Sequence, residues 1–339
     1  MIELSMKKCQ HYNSNFWYVQ QYKIIMNKIA LIIPYFGKFP KWMPLYLFSC
    51  SKQENIDFLY FTDCELPDKI YSNTIFFKTT FEAYCERVSK RLEIKFHPSA
   101  PYKLCDLRPF YGIIHEEELE NYEWWGFGDL DLVYEDLSKF TNEHNLRKYD
   151  LLTTHVNRVA GHFTIIKIKS RYTKIAYSLP NWKDALQAKE HRCLDEGDFS
   201  ELVKPLKNHL FDRFYYHVLN KFINPYHHFF CYYLWGKITH FLDGKCYMKE
   251  CFTTFHPTRQ SVITYDLSNC KFSVSNNQLD KIRWGGIYLH FLLFKKTPYY
   301  KTDLYWREGF YKIPEDYDFE KGGIIEITTE GIKLKEDNR

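Results

Sequence analysis

The chain has 339 residues, 45% of them apolar and 19% aromatic, enough for a sizeable core in one large or two modest domains. Its 46 basic and 42 acidic residues leave a net charge of +4, too balanced for a nucleic-acid surface, so no nucleic-acid partner is expected. No run reaches the roughly 18 apolar residues of a membrane span; none of the ten cysteines forms a C-x-x-C pair, and Cys50, Cys64, Cys85 and Cys105, within apolar stretches, are expected as buried thiols in a reducing, cytoplasmic compartment.

Residues 1–25 hold Lys7, Lys8 and His11 and no signal-peptide core, and Met26 is a more natural beginning. They are expected as a poorly ordered extension. Ile29 to Ile33 is a continuous apolar run that ends at Pro34, which suits a strand buried on both faces of a parallel sheet. A loop at Phe36-Gly37-Lys38 and an amphipathic helix from Trp42 to Cys50 follow. Ile56–Phe61 and Thr74–Phe77 read as the second and third strands, and Phe81–Leu92 as a helix with its charges on one side. Tyr102–Leu119 reads as a helix interrupted near Pro109, and Tyr122–Phe127 as the fourth strand.

Strands and helices alternating at this spacing predict an α/β fold with a mainly parallel sheet flanked by helices. Such sheets bind ligands beyond the carboxyl ends of their strands. Tyr35, Asp63 and Asp129 all lie at predicted carboxyl ends and are expected to share one edge.

The fourth run ends in Gly128-Asp129-Leu130-Asp131-Leu132. Two carboxylates at the end of a buried run are costly without a cation. On an extended chain alternate side chains share a face, so Asp129 and Asp131 form a candidate site for Mg²⁺ or Mn²⁺ carrying a phosphate, the D-x-D arrangement of enzymes that bind nucleotide-sugars. Two alternatives stay open at this point. An exposed turn or helix start also favours aspartate. Asp129-Leu130-Asp131-Leu132-Val133 also fits a phosphohydrolase of the haloacid dehalogenase type, with Asp129 as nucleophile.

The second half is less regular. Gly161–Ile168 reads as a strand, Asp195-Glu196-Gly197-Asp198 as an acidic loop, and Gly285–Phe291 as a short strand after a glycine pair. Residues 205–260, rich in Tyr, Phe and His, resist assignment. The stretch from Lys295 to Lys312, with Tyr299, Tyr300, Tyr305, Trp306, Phe310 and Tyr311, is basic and aromatic and could rest on an anionic membrane surface.

The segments Ile33-Pro34-Tyr35-Phe36-Gly37, Phe61-Thr62-Asp63, Tyr102 to Pro109, Gly128 to Asp131, Gly161-His162-Phe163 and Tyr288-Leu289-His290-Phe291, in this order, resemble a bacterial family of GT-A-fold glycosyltransferases. That family is often left as a domain of unknown function and is associated with surface-polysaccharide genes. A more distant similarity is to the glycogenin-like and lipopolysaccharide galactosyltransferase families. The resemblance spans residues 27–295 and implies a Rossmann-related GT-A domain over 26–295, with 296–339 as a C-terminal elaboration.

The resemblance also implies roles. Asp129 and Asp131 would hold Mn²⁺ or Mg²⁺ on the donor diphosphate, with His290 as third ligand. Tyr35 and Asp63 would meet the nucleotide base and ribose, while Asp106, Arg108 and Lys103 would help to hold the donor, although the spacing here is Asp-x-Arg where relatives have Asp-x-x-Arg. Gly161 and His162 would face the acceptor, and Asp195 or Glu196 would be the base if the reaction inverts. The implied donor is a UDP-sugar, with a slight lean to retention. The implied acceptor is a glycan or lipid-linked oligosaccharide, met in the cytoplasm or at the inner membrane's cytoplasmic face. A non-catalytic glycan-binding relative is the further alternative. Trp182 and Trp284 are candidate sugar platforms.

Overall fold

The structure is a computed structural model. It describes residues 6–8, 17–19, 28–204, 210, 245–251, 253–254, 262–275, 287–292 and 309–335. In chain order the strands are β1 (Met6–Lys8), β2 (Trp17–Val19), β3 (Ile29–Pro34), β4 (Ile56–Thr62), β5 (Thr74–Lys78), β6 (Trp124–Gly128), β7 (Leu132–Tyr134) and β8 (Leu151–Thr153). They continue as β9 (Phe163–Lys167), β10 (Cys246–Met248), β11 (Val262–Asp266), β12 (Lys271–Ser275), β13 (Tyr288–His290), β14 (Ile324–Thr328) and β15 (Gly331–Leu334). The two helices nearest the first strands are α1 (Met43–Ser51) and α2 (Phe81–Leu92).

The main sheet has the order β1-β2-β5-β4-β3-β6-β9-β8-β10 among the described residues. From β5 to β10 only β9 runs against its neighbours. The expected α/β fold with a mainly parallel sheet is present. Within the N-terminal segment, β1 and β2 pair with each other and β2 pairs with β5, so these two triplets are sheet strands rather than loose chain. The rest of 1–27 lies outside the described residues.

The apolar runs follow from the burial of both sheet faces. Ile29, Leu31 and Ile33 enter one core and Ala30 and Ile32 the other, as period-two geometry requires. Trp124 and Trp125 divide in the same way across β6. On the second face, Thr80 caps α2 by accepting from Ala83 N at 3.1 Å, and the buried row Tyr84, Cys85, Val88 and Leu92 keeps helical spacing.

Helix α1 is not amphipathic. Met43 and every residue from Leu45 to Cys50 are buried. The reason is a second, antiparallel sheet, β12-β11-β14-β15, whose Ile263, Tyr265, Ile325 and Ile327 join the same core. Phe48 of α1 meets Phe319 at 5.7 Å between ring centres. The boundary expected at 295/296 falls inside this sheet, because β11 and β14 pair across it. Phe310, one of the aromatics expected on a membrane surface, is likewise buried in this core. Residues 293–308, with Tyr299, Tyr300, Tyr305 and Trp306, lie outside the described residues, as do Trp284 and most of 205–260. No helix among the described residues is long and apolar enough to cross a membrane, and the eight cysteines described are free thiols.

Strand β3 has β4 and β5 on one side and β6 on the other, all parallel. The chain therefore leaves β3 in one direction and returns in the other. That reversal falls at the carboxyl ends of β3 and β6, the place where such sheets bind ligands. Tyr35 and Asp129 are the first residues beyond those two strands.

Candidate active site

Asp129 follows β6, and the chain bends at Leu130 and Asp131 before β7. The two carboxylates converge through that bend rather than on an extended strand. Leu130 is buried, and its carbonyl accepts from Trp42 Nε1 at 2.8 Å, which anchors the bend to the residue before α1. Strand β13 pairs antiparallel with β7, His290 opposite Leu132, and Phe291 N donates to Asp131 O at 3.1 Å. This pairing delivers the His290 ring to Asp131 from far along the chain.

The three residues make a compact donor set. One ligand atom each from Asp129, Asp131 and His290 lies within 4.8 Å of the others. His290 Nε2 is 3.3 Å from Asp131 Oδ2 without the alignment of a hydrogen bond, and it is buried with no hydrogen-bond partner. Oxygen ligands around Mg²⁺ stand at about 2.1 Å from the ion, so about 4.2 Å from one another at most. A small inward movement of this set would enclose one such ion. Two carboxylates and an imidazole suit Mn²⁺ or Mg²⁺, with the nitrogen favouring Mn²⁺.

Arg108 stands against Asp129. Its segment, Pro101–Phe110, is a 3₁₀-helix followed by one short α-turn, Tyr111–Ile114, instead of the expected long helix. Side chains three apart eclipse in a 3₁₀-helix. Tyr102, Cys105 and Arg108 therefore form one row, and Lys103 and Asp106 another. Arg108 Nη1 donates to Asp195 Oδ2 at 2.7 Å, and Nη2 donates to Asp129 Oδ1. One guanidinium thus joins the D-x-D aspartate to the acidic loop.

The second row is engaged within the protein. Lys103 is buried, donates to the carbonyls of Ala185 and Glu190 at 2.7 Å each, and pairs with Asp106 at 2.9 Å. Asp106 is fully buried and accepts from Arg192 N at 2.9 Å and Leu194 N at 3.1 Å. Both residues therefore hold the loop that carries Asp195. Buried charges need such partners.

Asp195 also differs from a base in waiting. It is 2% exposed and its Oδ2 is engaged by Arg108. Glu196 is the more accessible of the pair. Its Oε1 accepts from Gly161 N at 3.1 Å, and Oε2 lies 3.4 Å from Arg158 Nε. Gly161 leaves room for this junction: a Cβ there would stand 2.5 Å from Arg108 Nη1 and 2.7 Å from Asp195 Oδ2, so one of these side-chain ends would have to shift.

His162 precedes β9, whose pairing sets Phe163 opposite Gly128, so it lies beside Asp129 by register. Its ring stacks on His290 at 4.3 Å and meets His155 at 5.0 Å. Burial, and next the neighbouring His290 and His155 rings, push its pKa well below the usual histidine value, so it is neutral. Tyr35 stacks on Phe39 at 5.6 Å at the end of β3. Asp63, after β4, accepts from Gly37 N at 2.7 Å, and Gly37 adopts φ +101°, open to glycine. Tyr35, Asp63 and Asp129 lie at one edge of the sheet. Trp182 packs on Phe110 at 5.1 Å and Tyr177 at 5.3 Å, as part of the second core's margin.

Thr253, Thr254, His155 and Glu250 escaped the sequence reading. Thr254 Oγ1 is 3.0 Å from His290 Nδ1, Thr253 Oγ1 is 3.3 Å from His162 Nε2, and His155 Nδ1 is 3.4 Å from Glu250 Oε2. Threonines carry no motif, and their importance comes only from what they face.

Fold and site together define an α/β protein with a carboxylate-imidazole cluster at the carboxyl edge where a mainly parallel sheet reverses its strand order. The chain belongs to the family described as "Family of unknown function (DUF6625)", which matches residues 31–291. A search of curated proteins returns no match. Among solved structures, mouse Xyloside xylosyltransferase 1 in its apo form is similar with a TM-score of 0.32 and 7% sequence identity, over 53% of this chain and 81% of that chain.

Proposed function

We propose that this protein is a cation-dependent glycosyltransferase that moves a sugar from a nucleoside diphosphate sugar, UDP being the preferred nucleotide, to a hydroxyl of a glycan or lipid-linked acceptor in surface-polysaccharide synthesis. The observation that carries this reading is the Asp129, Asp131 and His290 set, with its unpartnered buried nitrogen, at the strand reversal. When bound there, Mn²⁺ or Mg²⁺ would supply a positive charge to the departing nucleoside diphosphate.

The chain's own residues would do the rest. Tyr35 offers an aromatic face to the base, and Asp63 stands beside it for the ribose. Arg108 spans Asp129 and Asp195, and this hydrogen-bonding floor would orient the hydroxyls of the donor sugar. Gly161 and the neutral His162 line the side from which an acceptor would approach. We favour retention of configuration, because the buried Asp195 has an oxygen committed to Arg108. Glu196 is the candidate base should the product invert. The phosphohydrolase alternative would need Asp129 as nucleophile, and its Oδ1 is held by Arg108.

Thermal-shift measurements with UDP, GDP and CDP, each with and without Mn²⁺, test the proposal. Stabilisation by one nucleoside diphosphate only with Mn²⁺, lost in Asp131→Asn, is expected. At a ligand concentration 100 times Kd, that stabilisation is about 2.7 kcal/mol. A well-folded protein that responds to none of them would overturn the reading.

A further inference from the structure

Two consecutive threonines face two stacked imidazoles beside the carboxylates. Thr253 O accepts from His290 N at 2.8 Å, and Thr254 makes an isolated parallel bridge with His290, so the 253–254 segment is fixed to the strand that delivers the ring. The hydroxyl of Thr254 then lies 3.0 Å from Nδ1 of His290, and that of Thr253 3.3 Å from Nε2 of His162. The stacked rings are 4.3 Å apart and inclined by 25°, which leaves His290 little room to turn.

Two tautomers of His290 are conceivable. If Nε2 carried the proton, a buried N–H would face Asp131 Oδ2 at 3.3 Å without hydrogen-bond alignment, and an unmade buried bond costs free energy. If Nδ1 carries it, Nδ1–H donates to Thr254 Oγ1, and the bare Nε2 lone pair is aimed at the Asp129–Asp131 pair. A bare nitrogen beside carboxylate oxygens is repelled unless a cation lies between them. Metal-bound histidines commonly have their other nitrogen held in this way.

We infer that Thr254 is a positioning residue for the cation site: its hydroxyl accepts the Nδ1 proton of His290 and so presents the Nε2 lone pair, while the His162 ring held by Thr253 blocks rotation. The inference rests on the cation-site reading above. Thr254 would not touch the ion or the sugar, and its effect is transmitted through the orientation of one ring.

The test is Mn²⁺ binding by the full chain, followed by electron paramagnetic resonance of the free ion without any nucleotide. Thr254→Val should weaken Mn²⁺ binding by about 10- to 100-fold and lower the metal-free melting temperature, because Nδ1–H of His290 loses its acceptor. Thr254→Ser, which keeps the hydroxyl, should restore binding. A Thr254→Val protein that binds Mn²⁺ as tightly as the wild type would overturn the positioning role alone. If the wild type itself binds no Mn²⁺, the cation site and this inference both fall. Should the valine variant not fold, long-range ¹H–¹⁵N spectra of the wild-type imidazoles decide: a proton on Nδ1 of His290 is expected, and a proton on Nε2 in the neutral ring would overturn the inference.

Discussion

Arg108 Nη1 lies 2.7 Å from Asp195 Oδ2, and this contact ties the 3₁₀-helix after α2 to the acidic loop of the second half. The same guanidinium reaches Asp129 with Nη2. Its removal takes the guanidinium away from both carboxylates. Breaking a buried pair in this way costs about 3–5 kcal/mol, so Arg108→Ala should lower stability by that order in denaturant titration. Arg108→Lys keeps the charge but lacks the planar fork that engages two carboxylates at once. It should retain most of the stability and lose nucleotide-sugar binding by at least tenfold.

Gly161→Ala probes the same junction by volume instead of charge. The added Cβ would meet both Arg108 Nη1 and Asp195 Oδ2 well inside contact distance. Overpacking of this kind costs about 1–3 kcal/mol. The melting temperature should fall, and donor binding should fall with it, because the Arg108–Asp195 contact must open. An alanine variant with unchanged donor affinity would show that the junction does not touch the donor.

Lys103→Met separates a structural lysine from a ligand-binding one. Lys103 anchors the carbonyls of Ala185 and Glu190 and balances the buried Asp106. Unfolding free energy should fall by about 3–5 kcal/mol, while nucleotide affinity of the protein still folded stays within a few-fold of wild type. The reverse pattern, intact stability with lost nucleotide binding, would place Lys103 at the donor site.

Acid should destabilise the protein through its neutral buried histidines. Burial and then the Arg87 charge push His115 down to about 4, and its Nε2 meets Tyr84 Oη at 2.8 Å. Unfolded histidine titrates near 6.5. Between those values the unfolded chain binds a proton that the folded chain does not, so stability is full above about pH 6.5 and declines towards pH 4. One such group contributes about 1.4 kcal/mol per pH unit within that window. His162, shifted in the same direction by burial, adds to the slope. His115→Gln should make this limb of the pH–stability curve measurably shallower. Below about 4.5 the loss continues, because unfolding lets Glu118 take up a proton that the folded carboxylate, held charged against its own burial by His115 and Arg87, does not bind.

The strands and their carboxyl ends were legible in the sequence. A strand covered on both faces is apolar at nearly every position, so Ile29–Ile33, Ile56–Phe61 and Tyr122–Phe127 announced themselves without any partner being known. The same logic marked Asp129 and Asp131, since two carboxylates after a buried run need a reason to be there. The tertiary structure alone decided how far their neighbourhood extends. The 3₁₀ period turns Lys103 and Asp106 inward and Arg108 towards Asp129, whereas an α-helical reading treats all three alike. A second sheet from the last part of the chain joins the core around α1, so most of that helix is buried and its expected amphipathic character misled. Thr254, His162 and His290 meet only through strand pairing and stacking between distant segments. Local pattern encodes which face of an element is covered; it does not encode what covers it, and the chemistry of this site depends on the second.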